Sequence, residues 1–124
     1  MAFAYNQNRL GKKKDFDEIF GSGWYLNSQT LTLRFRKTEN SFSRFSVIVS
    51  TKVSKRAVDR NRLRRQVREI LRKSWDRVPL GFDFMVIIKP GKKIATSDAL
   101  AKELWPMVDR MINFKKYSAP VSKK

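Results

Sequence analysis

The stretch RAVDRNRLRRQVREILRK, residues 56 to 73, constrains this chain more than any other. Placed at 100° per residue, Leu63, Val67, Ile70, Leu71 and Ser74 gather on one side, the stripe of a helix laid against a core. Asn61, Arg65, Arg68 and Arg72 recur at i, i+4, i+7 and i+11 along another side, flanked by Arg62 and Glu69. From Lys52 to Lys73 there are ten cations and two acids, Asp59 and Glu69. Solubilising helix faces usually mix signs and gain about 0.3–0.5 kcal/mol per i, i+4 pair. Here like charges sit one turn apart and weaken the isolated helix by similar amounts. An anionic surface is expected to compensate them.

The whole chain shares that bias. Its 28 Lys+Arg against 11 Asp+Glu give a formal charge of +17 over 124 residues. A field of that size attracts polyanions. Nucleic acid is the leading partner and an anionic membrane surface the weaker one. The longest apolar run, Phe84 to Ile88, falls far short of the roughly 20 residues that cross a bilayer. The N-terminus MAFAYNQNRLGKKK lacks the ordered charged, apolar and cleavage regions of a secretory signal. Zero Cys and zero His exclude disulfides, thiolate clusters and imidazole ligands, and suit a reducing cytoplasm. They also remove the usual neutral-pH general base and the thiol nucleophile.

One domain is expected over residues 1–124, with a frayed tail from about 115. In KKDFDEIFGSG, Phe16, Ile19 and Phe20 share one face of a short helix, Asp15 and Glu18 have capping-box spacing, and Gly21 and Gly23 stop it. In TLTLRFRK, Leu31, Leu33 and Phe35 alternate with Thr30, Thr32, Arg34 and Arg36. In RFSVIVST, Phe45, Val47 and Val49 alternate with Arg44, Ser46, Ile48 and Ser50. The link TENSFS is of hairpin-loop length, so these two strands are expected to pair antiparallel. The sheet then has one greasy face and one face of arginines and hydroxyls. After the basic helix, FDFMVIIK reads as a more buried strand closed by Pro90-Gly91. A last helix from Ser97 to about Phe114 carries Leu100, Leu104, Met107 and Met111 in a stripe, with a kink or break expected at Pro106. The order α-β-β-α-β-α predicts an α+β sandwich, with helices packed on one central mixed sheet.

Arginine outnumbers lysine between Arg56 and Arg72, and its planar fork binds phosphate oxygens two at a time. Asn61 adds donors and an acceptor able to read a base edge or a ribose hydroxyl. No helix pairing of the helix-turn-helix kind precedes this element, whereas a helix on a sheet with an open polar face suits single-stranded or structured RNA. Other features have plainer readings beside the functional ones. Phe16 and Phe20 are core by default, and stack on bases only if their ring edges stay accessible. Arg34, Arg36 and Arg44 are either a solvated sheet face or a track for RNA. Asp15, Asp17 and Glu18 could suggest a Mg²⁺ site, but Asp15 and Glu18 read first as helix-start residues. Met107 and Met111 are packing residues.

The run DRNRLRRQVRE, residues 59 to 69, resembles the arginine-asparagine-arginine signature of the bacterial ribonuclease P protein subunit family. Arg60, Asn61, Arg62, Arg64, Arg65, Arg68 and Glu69 match it, and KVSKRAVDRNR looks like the family's approach to the motif. NRLGKKKDFDEIF, residues 8 to 20, is similar to the family's first helix, and the remaining strands and closing helix follow in family order. The resemblance implies an α+β sandwich with a left-handed β-α-β crossover around the basic helix, where the physical default is right-handed. It implies a protein subunit of a ribonucleoprotein endoribonuclease that removes 5′ leaders from precursor tRNA in the cytoplasm. It implies further that the catalytic RNA subunit performs the hydrolysis with Mg²⁺ held mainly by RNA, and that no catalytic or metal-binding residue is expected in the protein. Its partners would be ribonuclease P RNA and precursor tRNA, with no membrane and no small-molecule substrate.

Carried over by position, Arg60, Asn61, Arg62, Arg64, Arg65, Arg68 and Arg72 contact RNA, supplemented by Lys52, Lys55 and Arg56. Phe16, Phe20, Arg34, Arg36, Arg44 and Ser46 belong to a cleft for the leader. Arg34 stands where relatives often have an aromatic, which trades base stacking for phosphate attraction. The competing functions are a structural RNA-binder such as a ribosomal protein, and a nuclease in its own right. The latter lacks His and Cys, and its acids are scattered.

Overall fold

The protein is described by a computed structural model over residues 3, 5–91 and 96–113; the expected tail from about 115 lies outside the described residues. A short helix α1 (Tyr5–Asn8) and helix α2 (Lys13–Ser22) precede strands β1 (Trp24–Asn27), β2 (Leu31–Lys37) and β3 (Arg44–Ile48). Helix α3 (Ala57–Lys73) is the basic helix; a 3-10 turn at Trp75–Arg77, strand β4 (Phe82–Ile88) and helix α4 (Ser97–Asn113) follow.

The four strands form one sheet in the order β1-β2-β4-β3. Strand β4 pairs antiparallel with β2 and parallel with β3, and β1 pairs antiparallel with β2. The expected β2–β3 hairpin is therefore corrected. The two strands do run in opposite directions, but β4 lies between them. The reason is in the run FDFMVII, buried at six of its seven positions. A strand that apolar on both faces is stable only where both faces and both edges are covered. It displaces β3 to the edge, and β3 reaches it through the α3 crossover. The segment joining β2 to β3 is tied down instead by Thr38, whose N–H donates to the Gly81 carbonyl (2.7 Å), and Gly81 turns at φ +86° into β4. Strand β1, WYLN, was not foreseen. It is only four residues long and carries no clear alternation.

Helices cover both faces of the sheet. On one, Leu63, Val67 and Leu71 of α3 and Leu100, Leu104, Met107, Val108 and Met111 of α4 pack against Leu31, Leu33, Phe35, Phe45, Val47, Phe84 and Val86. Rings knit the end of that core: Phe45 stacks on Phe84 (5.7 Å) and lies 5.5 Å from Trp75, which closes α3. On the opposite face a smaller cluster of Leu10, Ile19 and Met85 seats α2. Of the kink or break expected at Pro106, the break does not occur, for helix α4 runs on through it. Pro106 and Lys102, whose carbonyl loses its donor, are both exposed, so water can serve that carbonyl.

Glu103 fastens α4 to the β1–β2 turn, accepting from the Thr30 N–H (2.9 Å), the Thr30 hydroxyl (2.8 Å) and the Ser28 hydroxyl. Burial pushes its carboxyl up, but those hydrogen bonds and nearby Lys89 outweigh it and hold the group below its ordinary range. At Gly23 the chain turns from α2 into β1 so closely that a Cβ would lie 2.5 Å from the Phe35 carbonyl oxygen and 2.6 Å from that of Ile19.

Candidate nucleic-acid interface

Between Ala57 and Lys73, α3 carries seven cations (Arg60, Arg62, Arg64, Arg65, Arg68, Arg72, Lys73) and two acids. How far those acids neutralise the row can be followed side chain by side chain. Asp59, in the first turn, accepts from the Ser54 hydroxyl (3.1 Å) and lies 3.9 Å from Arg56 and 3.7 Å from Arg62. Arg60 donates to the Ser54 carbonyl (2.9 Å), folding the preceding loop onto the helix start. Arg72 pairs with Glu69 at 2.6 Å; that bond holds the glutamate below its ordinary range and the arginine above its own. Arg64 donates to the Asn61 side chain. Arg64, Arg65 and Arg68 have no carboxylate partner among the described residues. Asn61, Arg62, Arg65 and Arg72 are exposed, as are Lys52, Lys55 and Arg56, while Arg60, Arg64 and Arg68 are half-buried. The positive row thus survives folding, with its middle unneutralised and accessible.

Beside that row lies a cleft of about 400 Å³. Its floor is edge strand β3, with Phe45, Ser46, Val47 and Ile48; α3 supplies Arg64 and Arg68. The N-terminal segment supplies Phe3, Asn8, Arg9, Leu10 and Gly11, and α2 supplies Phe16. The Leu10 N–H donates to the Phe45 carbonyl (2.9 Å), so the N-terminal segment covers one end of the β3 edge. Four residues singled out in the sequence, Phe16, Ser46, Arg64 and Arg68, therefore meet at one cleft although up to 52 positions apart (68 − 16).

The other proposed cleft residues lie on the same sheet face but outside that lining. Arg34 holds its guanidinium 4.7 Å from the ring centre of Phe20 and 5.3 Å from that of Tyr25. Phe20 is 43% exposed, so its ring remains accessible. Arg36 and Arg44 flank Asp83 of β4 in register. Arg44 donates to both Asp83 oxygens, from Nε at 2.9 Å and from a terminal nitrogen at 2.6 Å. That bond holds the guanidinium proton tighter than in an ordinary arginine, with burial acting the other way. Arg36 lies 3.6 Å from Asp83 and 2.7 Å from Glu18, and Arg44 lies 3.4 Å from Asp15.

These contacts correct the capping-box expectation. Helix α2 begins at Lys13 after Lys12, with no side-chain cap, so Asp15 is its third residue and faces the sheet. Asp15, Glu18 and Asp17 are engaged by three different cations, the last by Lys13 at 2.9 Å.

Sequence reasoning passed over Arg9, Tyr25 and Asp83. Nothing in the pattern marks Arg9 or Tyr25, which reach their positions through tertiary packing. Asp83 did leave a trace: a carboxylate inside a buried apolar run requires a cation opposite.

The Ribonuclease P family model matches residues 4–112. The ribonuclease P protein component of Thermotoga petrophila is 36% identical over 110 residues, covering 89% of this chain and 91% of the relative. That of Synechococcus elongatus is 37% identical over 94 residues, covering 73% and 77%. The solved ribonuclease P protein from Thermotoga maritima superposes with a TM-score of 0.74 at 32% identity, over 82% of this chain and 96% of that one. The Staphylococcus aureus protein, at 24% identity and a TM-score of 0.75 over 84% and 94%, shares the fold. With the basic helix, the cleft beside it and this match along nearly the whole chain in agreement, the protein belongs to the ribonuclease P protein family.

Proposed function

We propose that this chain is the protein subunit of a ribonuclease P holoenzyme, which binds the catalytic RNA through α3 and the 5′ leader of precursor tRNA through the cleft along β3. The observation that carries the reading is the meeting of Arg64 and Arg68, which have no carboxylate partner among the described residues, with Phe16 and Ser46 at one cleft. A single strand fits such a cleft by phosphate attraction on one wall and ring contact on the other. Arg60, Asn61, Arg62, Arg65 and Arg72, with Lys52, Lys55 and Arg56, extend the positive surface outward for structured RNA. Phe20 and Arg34 offer a further stacked surface on the sheet. Proximity of leader and catalytic RNA then orients the scissile phosphate, and binding energy far from the reacting bond assists the cut.

Hydrolysis belongs to the RNA subunit in this reading, with Mg²⁺ bound there. Among the described residues no group of three or more acids is placed to hold a metal ion, and Asp15, Glu18 and Asp83 are engaged by Arg36 and Arg44 instead. No helix among the described residues is long and apolar enough to cross a membrane.

The test is leader cleavage at low Mg²⁺ with and without ribonuclease P RNA. Stimulation of the RNA is expected, with no cleavage by the protein alone. Cleavage by protein alone would make it a nuclease, and no stimulation would make it a structural RNA-binder. Within the holoenzyme, Phe16→Ala is expected to weaken leader-bearing precursor more than mature tRNA; equal loss would reduce Phe16 to packing.

A further inference from the structure

The ionic cluster under α2 has a composition unlike the rest of this basic protein. Asp83, Asp15 and Glu18 surround Arg36 and Arg44, three acids to two bases in a chain of formal charge +17. Asp83 is fully buried on the central strand and lies between the two arginines by register, Arg36 on β2 and Arg44 on β3. Each guanidinium reaches inward to Asp83 and outward to one carboxylate of α2: Arg44 to Asp15 at 3.4 Å, Arg36 to Glu18 at 2.7 Å. The remaining anchorage of α2 is thin. Ile19 is the one hydrophobic side chain of that helix buried fully, against Leu10 and Met85, and Phe16 packs half-buried on the same cluster.

We infer that Asp83 is a positioning residue for the leader cleft: it aims Arg36 and Arg44 so that they clamp α2 and set the gap between Phe16 and the α3 arginines. The inference rests on the cleft reading proposed above and deepens it. Apolar contact through Ile19 and the half-buried Phe16 still leaves a helix free to slide or roll, because hydrophobic attraction has no direction. Charge-assisted bonds do have direction, and the forked contact of Arg44 on Asp83 fixes the plane of its guanidinium. Asp15 and Glu18 lie three residues apart on one face of α2, so two clamped points define both its position and its rotation. Phe16 is the next residue after Asp15, and it lines the cleft together with Arg64 and Arg68. Arg36 and Arg44 therefore serve the cleft by holding its wall. Arg34, the sheet-face arginine with aromatic rather than carboxylate neighbours, is left to face nucleic acid. An apolar residue at position 83 would leave two half-buried arginines without their inner partner, which is costlier than the pair itself.

Two variants test this in holoenzyme reconstituted with ribonuclease P RNA: Asp83→Asn, and the double variant Asp15→Asn with Glu18→Gln. The second leaves the fully buried Asp83 in place, so it serves even if Asp83→Asn folds poorly. The readout is the ratio of affinities for precursor tRNA with its leader and for mature tRNA, alongside affinity for ribonuclease P RNA and thermal melting of the protein. Both variants are expected to lower the leader ratio by roughly tenfold, the scale of a misplaced binding wall, with affinity for the RNA subunit unchanged. A purely structural role would lower affinity for both substrates together, in step with the melting temperature, and overturn the inference. So would an unchanged ratio in the double variant. A wild-type holoenzyme that shows no leader preference would remove the cleft reading itself. Preference present in the wild type and intact in both variants would remove only the role of Asp83.

Discussion

Replacing Arg65 by Ala isolates the electrostatic part of RNA binding, because this side chain is exposed and has no carboxylate partner among the described residues. Four arginines of α3 lack such a partner: Arg60, bonded to a backbone carbonyl, Arg64, bonded to Asn61, and Arg65 and Arg68. If all four meet phosphates, they contribute a slope of roughly 3 to 4 in log affinity against log salt, at 0.7–0.9 per contact. Removing Arg65 is expected to lower that slope by about 0.8, about a quarter of the contribution. Between about 50 mM and 200 mM salt, the advantage of wild type over Arg65→Ala then shrinks roughly threefold. Filter binding or fluorescence anisotropy with ribonuclease P RNA across that range measures it directly. Arg65→Lys keeps the charge, so it is expected to restore the slope while losing the bidentate geometry and part of the affinity. Parallel wild-type and Arg65→Ala lines would refute the reasoning, because an arginine that releases no counterion does not sit at the interface.

Two further perturbations test the scaffold. Gly23→Ala drives a Cβ into two backbone carbonyls that cannot move aside, so denaturant unfolding is expected to show a loss of about 1–3 kcal/mol. Glu103 predicts a pH dependence: its carboxyl is held below its ordinary value near 4.5, so its contribution to stability is present above that value and lost as the pH falls through the lower, folded-state value. Melting at pH 3 to 7 is expected to reveal the loss, and Glu103→Gln to flatten that part of the profile.

The legible and the hidden parts of the site divide by range. The α3 row was legible because helical periodicity is local: Arg65, Arg68 and Arg72 share a side of the helix wherever that helix is placed. The burial of Leu63, Val67 and Leu71 followed from the same periodicity, and the equally local two-residue period of a strand set Leu31, Leu33 and Phe35 against Thr32, Arg34 and Arg36. The neighbours of β3 were not legible, since an edge strand and a hairpin partner carry the same alternating pattern. The pairing of Asp15 with Arg44 was hidden for a similar reason. Capping-box spacing describes a helix in isolation, whereas a cation on the sheet offers the carboxylate a closer partner.

What the chain alone determined is the charge and the periodicity: a helix with one apolar stripe, a surplus of arginine, and a central strand too apolar to lie at an edge. Tertiary structure decided which surfaces meet. Inserting β4 between β2 and β3 moved β3 to the edge, where its exposed side, Phe16 and two arginines of α3 enclose a cleft. It also put Asp83 between Arg36 and Arg44, spending two cations on the scaffold while those in the middle of α3 keep their field. Local spacing fixes which way a side chain points on its own element; only packing brings distant elements within the few ångströms where charges bind.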